Sequence, residues 1–83
     1  MAKSIFTREH RRFIEGLRDA RKSAGLTQIQ LSEKLGKNQS YISNIERGQR
    51  RIDVVEFIRV AEALSMEPKV LFGKLLVRIK SDR

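Results

Sequence analysis

The residues best suited to chemistry in this sequence are a run of amide, hydroxyl and guanidinium side chains between positions 39 and 47. Gln39, Ser40, Ser43, Asn44 and Arg47 are spaced by one, three and four residues, so they share one side of a helix. An amide donates and accepts at once, which matches the paired acceptor and donor that adenine shows in a major groove about 12 Å wide. We therefore interpret Gln39, Ser40 and Asn44 as candidates for reading DNA bases.

Donors that could hold DNA phosphates flank this run. Gln28 and Asn38 stand at predicted helix starts, where unpaired backbone N–H groups also favour anions. Contacts of this kind fix the register of a protein on DNA without reading sequence. The predicted DNA-binding residues are Gln28, Asn38, Gln39, Ser40, Tyr41, Ser43, Asn44, Arg47, Arg50 and Arg51. The alternatives are a solvated helix face, a solubilising arginine loop, and a Tyr41 ring that only packs at a helix junction.

Five helices are expected to position these residues, because apolar residues recur at helical spacing along nearly the whole chain. The predicted helices cover about residues 8–24, 28–35, 39–47, 54–65 and 68–80. Capping residues precede the first four of them, namely Thr7, Thr27, Asn38 and Asp53, and two of these are predicted to form capping boxes, Thr27 with Gln30 and Asp53 with Glu56. Pro68 fits the first turn of the fifth helix. The sequence thus predicts one all-α, compact five-helix domain over residues 1–83.

The second and third predicted helices meet after only about three linking residues around Gly36. Glycine permits the positive backbone angle of a sharp turn. Leu31 and Leu35 on one helix, with Ile42 and Ile45 on the other, are spaced to point toward a shared centre. This pattern is typical of a helix-turn-helix over about residues 28–47.

The charge, apolar content and cysteine content of the chain limit the kinds of partner that the protein can have. The chain carries 18 basic and 10 acidic residues, a net charge of +8 that attracts nucleic acid or an anionic membrane. No apolar stretch approaches the roughly 20 residues of a membrane span, and the first residues do not resemble a signal peptide. Cysteine is absent. We expect a soluble cytoplasmic protein that does not enter a membrane.

Catalysis and metal binding are not supported by the residue types present. His10 is the single histidine, and without cysteine the chain lacks the three or four ligands of a typical metal site. The sequence shows neither a Ser/His/Asp arrangement nor a glycine-rich phosphate loop. We therefore expect no enzyme activity, no metal and no cofactor.

The fifth helix carries more apolar residues than a chain of this size can readily cover. We expect Leu71 and Phe72 to close the core, which leaves Leu75, Leu76 and Ile79 without cover. These three residues are interpreted as a homodimer interface on a C-terminal helix over about residues 68–80. The alternative is a helix that folds back on its own core.

Taken together, these motifs resemble those of the Cro/C1-type (XRE-family) helix-turn-helix regulators of phage and bacteria. The matching residues are Leu17-Arg18, Arg21, Gly25 to Gln28, Leu31-Ser32, Leu35-Gly36, Gln39 to Gly48, and Ile58 to Leu64. The resemblance implies a lambda-repressor-like fold in which Gln28 holds a phosphate. It also implies that Gln39, Ser40 and Asn44 contact bases. Arg21 and Glu46 match the family's buried ion pair, which ties the first helix to the third.

The resemblance implies a sequence-specific, double-stranded DNA-binding transcriptional regulator, most simply a repressor in a bacterial or phage-infected cytoplasm, associated with the nucleoid. Such a protein acts as a homodimer on an inverted repeat whose half-sites lie about 34 Å apart. Stand-alone relatives include controller proteins of restriction-modification systems, which activate as well as repress. The alternative function is an antitoxin or adaptor whose fifth helix holds a protein partner, either toxin-like or another regulator.

Overall fold

The structure is a computed structural model that describes residues 7–81. Its helices are α1 (Arg8–Ser23), α2 (Gln28–Lys34), α3 (Tyr41–Glu46), α4 (Val54–Ala63) and α5 (Pro68–Ile79). Residues 7–81 contain no β-strand. The predicted all-α fold with five helices is therefore confirmed.

Side-chain caps set the starts of α1, α2 and α4. Thr7 accepts a hydrogen bond from a backbone N–H in the first turn of α1. Thr27 with Gln30, and Asp53 with Glu56, form complete capping boxes at α2 and α4. Each cap contributes about 1 kcal/mol to stability, so these helix starts follow from local sequence.

The start of α3 differs from the prediction, because Tyr41 and not Gln39 is its first residue. Asn38 Oδ1 accepts from Ser40 N at 2.8 Å and from Ser40 Oγ at 2.7 Å. An Asn side chain that captures a nearby N–H in this way competes with helix formation. Gln39 and Ser40 therefore lie in the turn before α3 and not on the helix itself.

One hydrophobic core joins α1 to α5. Its buried residues are Leu17, Leu31, Tyr41, Ile42, Ile45, Phe57, Val60, Ala61, Leu64, Leu71 and Leu75. Ser32 is buried among them, and its Oγ accepts from Ile42 N at 3.1 Å. This bond joins α2 to α3 directly, and Gly36 between them adopts φ +69°. The predicted sharp turn between the two helices is thus present.

The packing of α5 differs from the prediction at two residues. Leu75, expected to lack cover, is only 2% exposed, because Gly16 leaves room for its side chain against α1. Phe72, expected to close the core, is 49% exposed and meets Phe57 edge-on, with ring centroids 6.1 Å apart. Leu75 is therefore part of the core, and the case for including it in a dimer interface fails.

His10 is a half-buried imidazole on α1, with its ring centroid 5.8 Å from that of Phe13. Its Nε2 has no hydrogen-bond partner among residues 7–81. Burial, and to a lesser extent the charge of Arg51, lowers the pKa of His10 below its ordinary value of 6.5. The folded chain therefore disfavours protonated His10.

Acid is expected to destabilise the fold through His10. The unfolded chain binds the proton more readily, so this contribution is present above pH 6.5 and is lost as the pH falls below it. We expect His10→Phe to remove this part of the pH dependence. The free energy of unfolding, measured between about pH 7.5 and about pH 5, should fall less for the variant than for the wild type. Equal losses in the two proteins would contradict the assignment.

Candidate nucleic-acid interface

A buried ion pair holds the helix-turn-helix against α1. Arg21 Nε lies 2.7 Å from Glu46 Oε2, and Arg21 Nη2 donates to Glu46 Oε1 at 3.1 Å. The side chains of this pair are only 8% and 5% exposed. Arg21 Nη1 also donates to the carbonyl oxygen of Leu26 at 2.8 Å. Arg21 thereby links α1 both to the last residue of α3 and to the turn between α1 and α2.

Gln28 joins the same network. Its Nε2 donates to Glu46 Oε1 at 2.8 Å, which ties the first residue of α2 to the last residue of α3. The resemblance assigns this side chain to a phosphate. In the structure its amide is bonded to a carboxylate, so Gln28 helps to fix the relative position of the two helices.

A polar surface, exposed except at the half-buried Ser43 and Asn44, lies at α3 and the turn before it. We call this the polar α3 surface; it comprises Asn38, Gln39, Ser40, Ser43, Asn44 and Arg47. Internal hydrogen bonds order most of it. Ser43 Oγ donates to the carbonyl oxygen of Ser40 at 3.0 Å, and Arg47 Nη2 donates to Asn44 Oδ1 at 2.7 Å. The structure therefore brings six of the ten predicted DNA-binding residues together on one side of the helix-turn-helix.

Tyr41 and Arg50 are engaged elsewhere. Tyr41 is only 8% exposed, and its ring centroid lies 5.4 Å from Lys37 Nζ and 4.9 Å from Arg50 Cζ. Arg50 donates to both carboxylate oxygens of Glu56, at 3.2 and 2.9 Å. Burial raises the pKa of the Tyr41 phenol. Both residues therefore serve first to connect α3 with the start of α4.

Glu56 was not singled out by sequence beyond its role as a cap. Hydrogen bonds from Arg50, and then from the Asp53 backbone, lower its pKa to about 2. Glu56 thus stays ionised at any ordinary pH and neutralises Arg50. The six-residue separation between Arg50 and Glu56 is not a helical spacing, so periodicity gave no sign of this pair. Arg51 is exposed on the loop and acts electrostatically on His10.

Within residues 7–81 no helix has the length and apolarity needed to cross a bilayer. In the same part of the chain, His, Asp and Glu side chains form no group of three or more that could hold a metal ion.

Comparisons with known proteins agree with this geometry. The family described as Helix-turn-helix (HTH_3) matches residues 17–71. An XRE-family like protein from Pseudomonas syringae pv. tomato str. DC3000 is 35% identical over 90% of this chain and 92% of that one, with a TM-score of 0.79. The restriction-modification controller protein C.AhdI from Aeromonas hydrophila is 39% identical over 74% of this chain and 92% of its own, with a TM-score of 0.66.

Among curated proteins, no sequence matches this chain. The family match covers well over half of the residues and includes the whole helix-turn-helix. The solved structures add relatives more than 30% identical that share the fold along most of the chain. The chain therefore belongs to the XRE-type helix-turn-helix family of DNA-binding transcriptional regulators.

Proposed function

We propose that this regulator is a sequence-specific repressor that binds an inverted-repeat operator as a homodimer. The observation that carries the dimer is an apolar surface that α4 and α5 leave uncovered. We call it the α4–α5 apolar face; its exposed members are Val54, Ile58, Phe72 and Leu76, between 38% and 75% exposed. Contiguous apolar surface of this kind marks interaction sites on soluble proteins.

A second copy of the chain suits this face. Val54, Ile58 and Phe72 line one open groove, whose lining also includes Asp53 and Lys69. A two-fold interface brings the same patch of each protomer together and must be self-complementary. A groove that carries one acidic and one basic residue beside an apolar centre meets that condition.

The proposed interface shares only part of its residues with the interface predicted from sequence. Leu76 stays within the apolar face, at 41% exposure. Ile79 is partly buried against the core and Leu75 is fully inside it. The proposed interface therefore centres on Phe72, about one helical turn before the predicted centre.

The size of the protomer supports the spacing of the operator. The described chain measures 33 × 31 × 21 Å. Two such bodies side by side have centres separated by about one protomer width, which is close to one turn of DNA, about 34 Å. Each α3 would then enter one major groove, with the polar α3 surface facing the base edges. A dimer held across a promoter in this way excludes the polymerase, which is the simplest route to repression.

Phe72→Ser is expected to separate the protomers. Phe72 is 49% exposed in the protomer, so its loss from both halves of a two-fold interface removes roughly 0.7–1.5 kcal/mol per copy, half the value for full burial. The dimer dissociation constant should therefore rise roughly 10- to 150-fold. Sedimentation equilibrium would measure it, and full-site DNA binding should weaken in parallel.

Val77→Ser is the matched control, because Val77 lies on the same helix and is 75% exposed outside the groove. It should leave the association constant unchanged. A wild-type protein that is monomeric at micromolar concentration would contradict the homodimer. It would then favour the alternative, in which the α4–α5 apolar face holds a protein partner.

A further inference from the structure

We propose that Arg47 sets the hydrogen-bonding polarity of Asn44, so that Asn44 presents its amide N–H₂ group to DNA and reads guanine in preference to adenine. This inference rests on the proposed function. It identifies the base that Asn44, one residue of the polar α3 surface, selects.

The orientation of the Asn44 amide follows from its neighbour. Arg47 Nη2 lies 2.7 Å from the Asn44 side-chain oxygen. A guanidinium has only donors, so the atom that faces it must be the carbonyl oxygen and not the amide nitrogen. Arg47 Nη2 also donates to Gln49 Oε1 at 3.3 Å, which holds the guanidinium from a second side. The Asn44 oxygen is thereby engaged in an exposed hydrogen bond within the protein.

The group left for DNA is then a donor. Adenine is normally read by an amide that donates to N7 and accepts from the N6 amino group, which needs the amide oxygen. Guanine presents two adjacent acceptors, N7 and O6, and an N–H₂ group carries two protons to meet them. With its oxygen held by Arg47, Asn44 matches guanine and meets the adenine amino group with a donor.

Hydrogen bonds within the protein also fix whether the neighbouring serines can donate to DNA or accept from it. Ser40 Oγ donates its proton to Asn38 Oδ1 at 2.7 Å, and Ser43 Oγ donates to the Ser40 carbonyl oxygen at 3.0 Å. A hydroxyl has one proton to give. Both hydroxyls can therefore only accept from DNA, while Asn38 and Asn44, whose side-chain oxygens already accept hydrogen bonds, keep their amide N–H groups as donors. The polarity of the polar α3 surface is thus a property of its internal bonds as well as of its residue types.

Base-by-base binding measurements test the proposal. The probes are duplexes that the wild-type protein selects from a random pool, with each half-site base pair then replaced by the other three. The position at which Asn44→Ala loses discrimination is the one that Asn44 contacts. We expect guanine at that position, bound roughly tenfold more tightly than adenine by the wild type.

Two variants change the hydrogen-bonding polarity at position 44 to different extents. Arg47→Leu releases the Asn44 oxygen, so adenine should become acceptable and the guanine preference should fall to about threefold or less. Asn44→Asp replaces the outward donor by an acceptor, so the preference should move to cytosine, whose N4 amino group donates. Arg59→Leu is the matched control, since it removes the same charge from an exposed position on α4. It should weaken all duplexes equally and leave the preference as it was.

The possible outcomes distinguish a failure of the guanine preference from a failure of sequence-specific DNA binding. A pool with no enriched sequence would overturn sequence-specific binding, and this inference with it. An enriched sequence in which the Asn44-dependent base is adenine would overturn the inference alone. So would a guanine preference that Arg47→Leu leaves intact, or an enriched sequence with no position that depends on Asn44.

Discussion

Glu46→Ala is expected to destabilise the protein by roughly 3–5 kcal/mol, the cost of leaving a buried charge without its partner. Arg21 is 7% exposed, and its Nε and Nη2 donate to this carboxylate. Gln28 Nε2 would lose its acceptor as well. A typical domain has only about 5–15 kcal/mol of stability in total. The variant should therefore unfold at a clearly lower urea concentration than the wild type.

Urea denaturation followed by circular dichroism measures this loss. Glu62→Ala is the matched control, because Glu62 is an exposed glutamate on α4. A surface change of that kind should stay within about 0.5 kcal/mol of the wild type. A Glu46→Ala loss as small as that of the control would show that the ion pair does not hold α3 against α1.

Leu75→Ala is expected to cost roughly 2–5 kcal/mol, because it opens a cavity where α5 packs on α1. Leu75 is 2% exposed, and a Cβ added at Gly16 would collide with its side chain. The surrounding helices can fill such a cavity only in part when they relax. The measurement is the free energy of unfolding, taken under conditions where the oligomeric state is known.

Val77→Ala is the comparison for this prediction, since it shortens an aliphatic side chain that is 75% exposed on the same helix. It should change stability by less than about 0.5 kcal/mol. If Leu75→Ala kept full stability but released monomers, Leu75 would belong to the interface after all. The expected result is a large loss of stability in the folded protomer itself.

Sequence could predict the fold because the signals for helix starts and stops are local. Thr27 with Gln30, and Asp53 with Glu56, lie three residues apart and form the expected capping boxes. The Asn38 turn was harder to predict. The same side chain can cap a helix or form a turn of its own, and here it binds Ser40 and delays α3.

The packing of α5 could not be predicted, because it depends on residues distant in the chain. Gly16 and Leu75 are 59 positions apart, and no periodicity links them. Once Leu75 fills that space, Phe72 on the same helix turns toward solvent. The number of apolar residues on α5 predicted that some of them are exposed. It could not identify which ones.

Sequence could predict which residues form the candidate nucleic-acid interface. It could not predict their hydrogen-bond partners within the protein. Amides and hydroxyls at positions 38–44 indicated base contact from sequence alone. The partners of Gln28 and Arg50 are Glu46 and Glu56, and only the structure shows that these carboxylates take up their donors. The same holds for Asn44, whose side-chain oxygen accepts a hydrogen bond from Arg47.

Selection of duplexes from a random pool at near-physiological salt is the decisive experiment for the proposal that the protein reads DNA sequence as a two-fold dimer. We expect an enriched inverted repeat whose half-site centres lie about one helical turn, or 34 Å, apart. Retention that varies steeply with salt and enriches no sequence would contradict it, because the basic surface alone would then explain the binding.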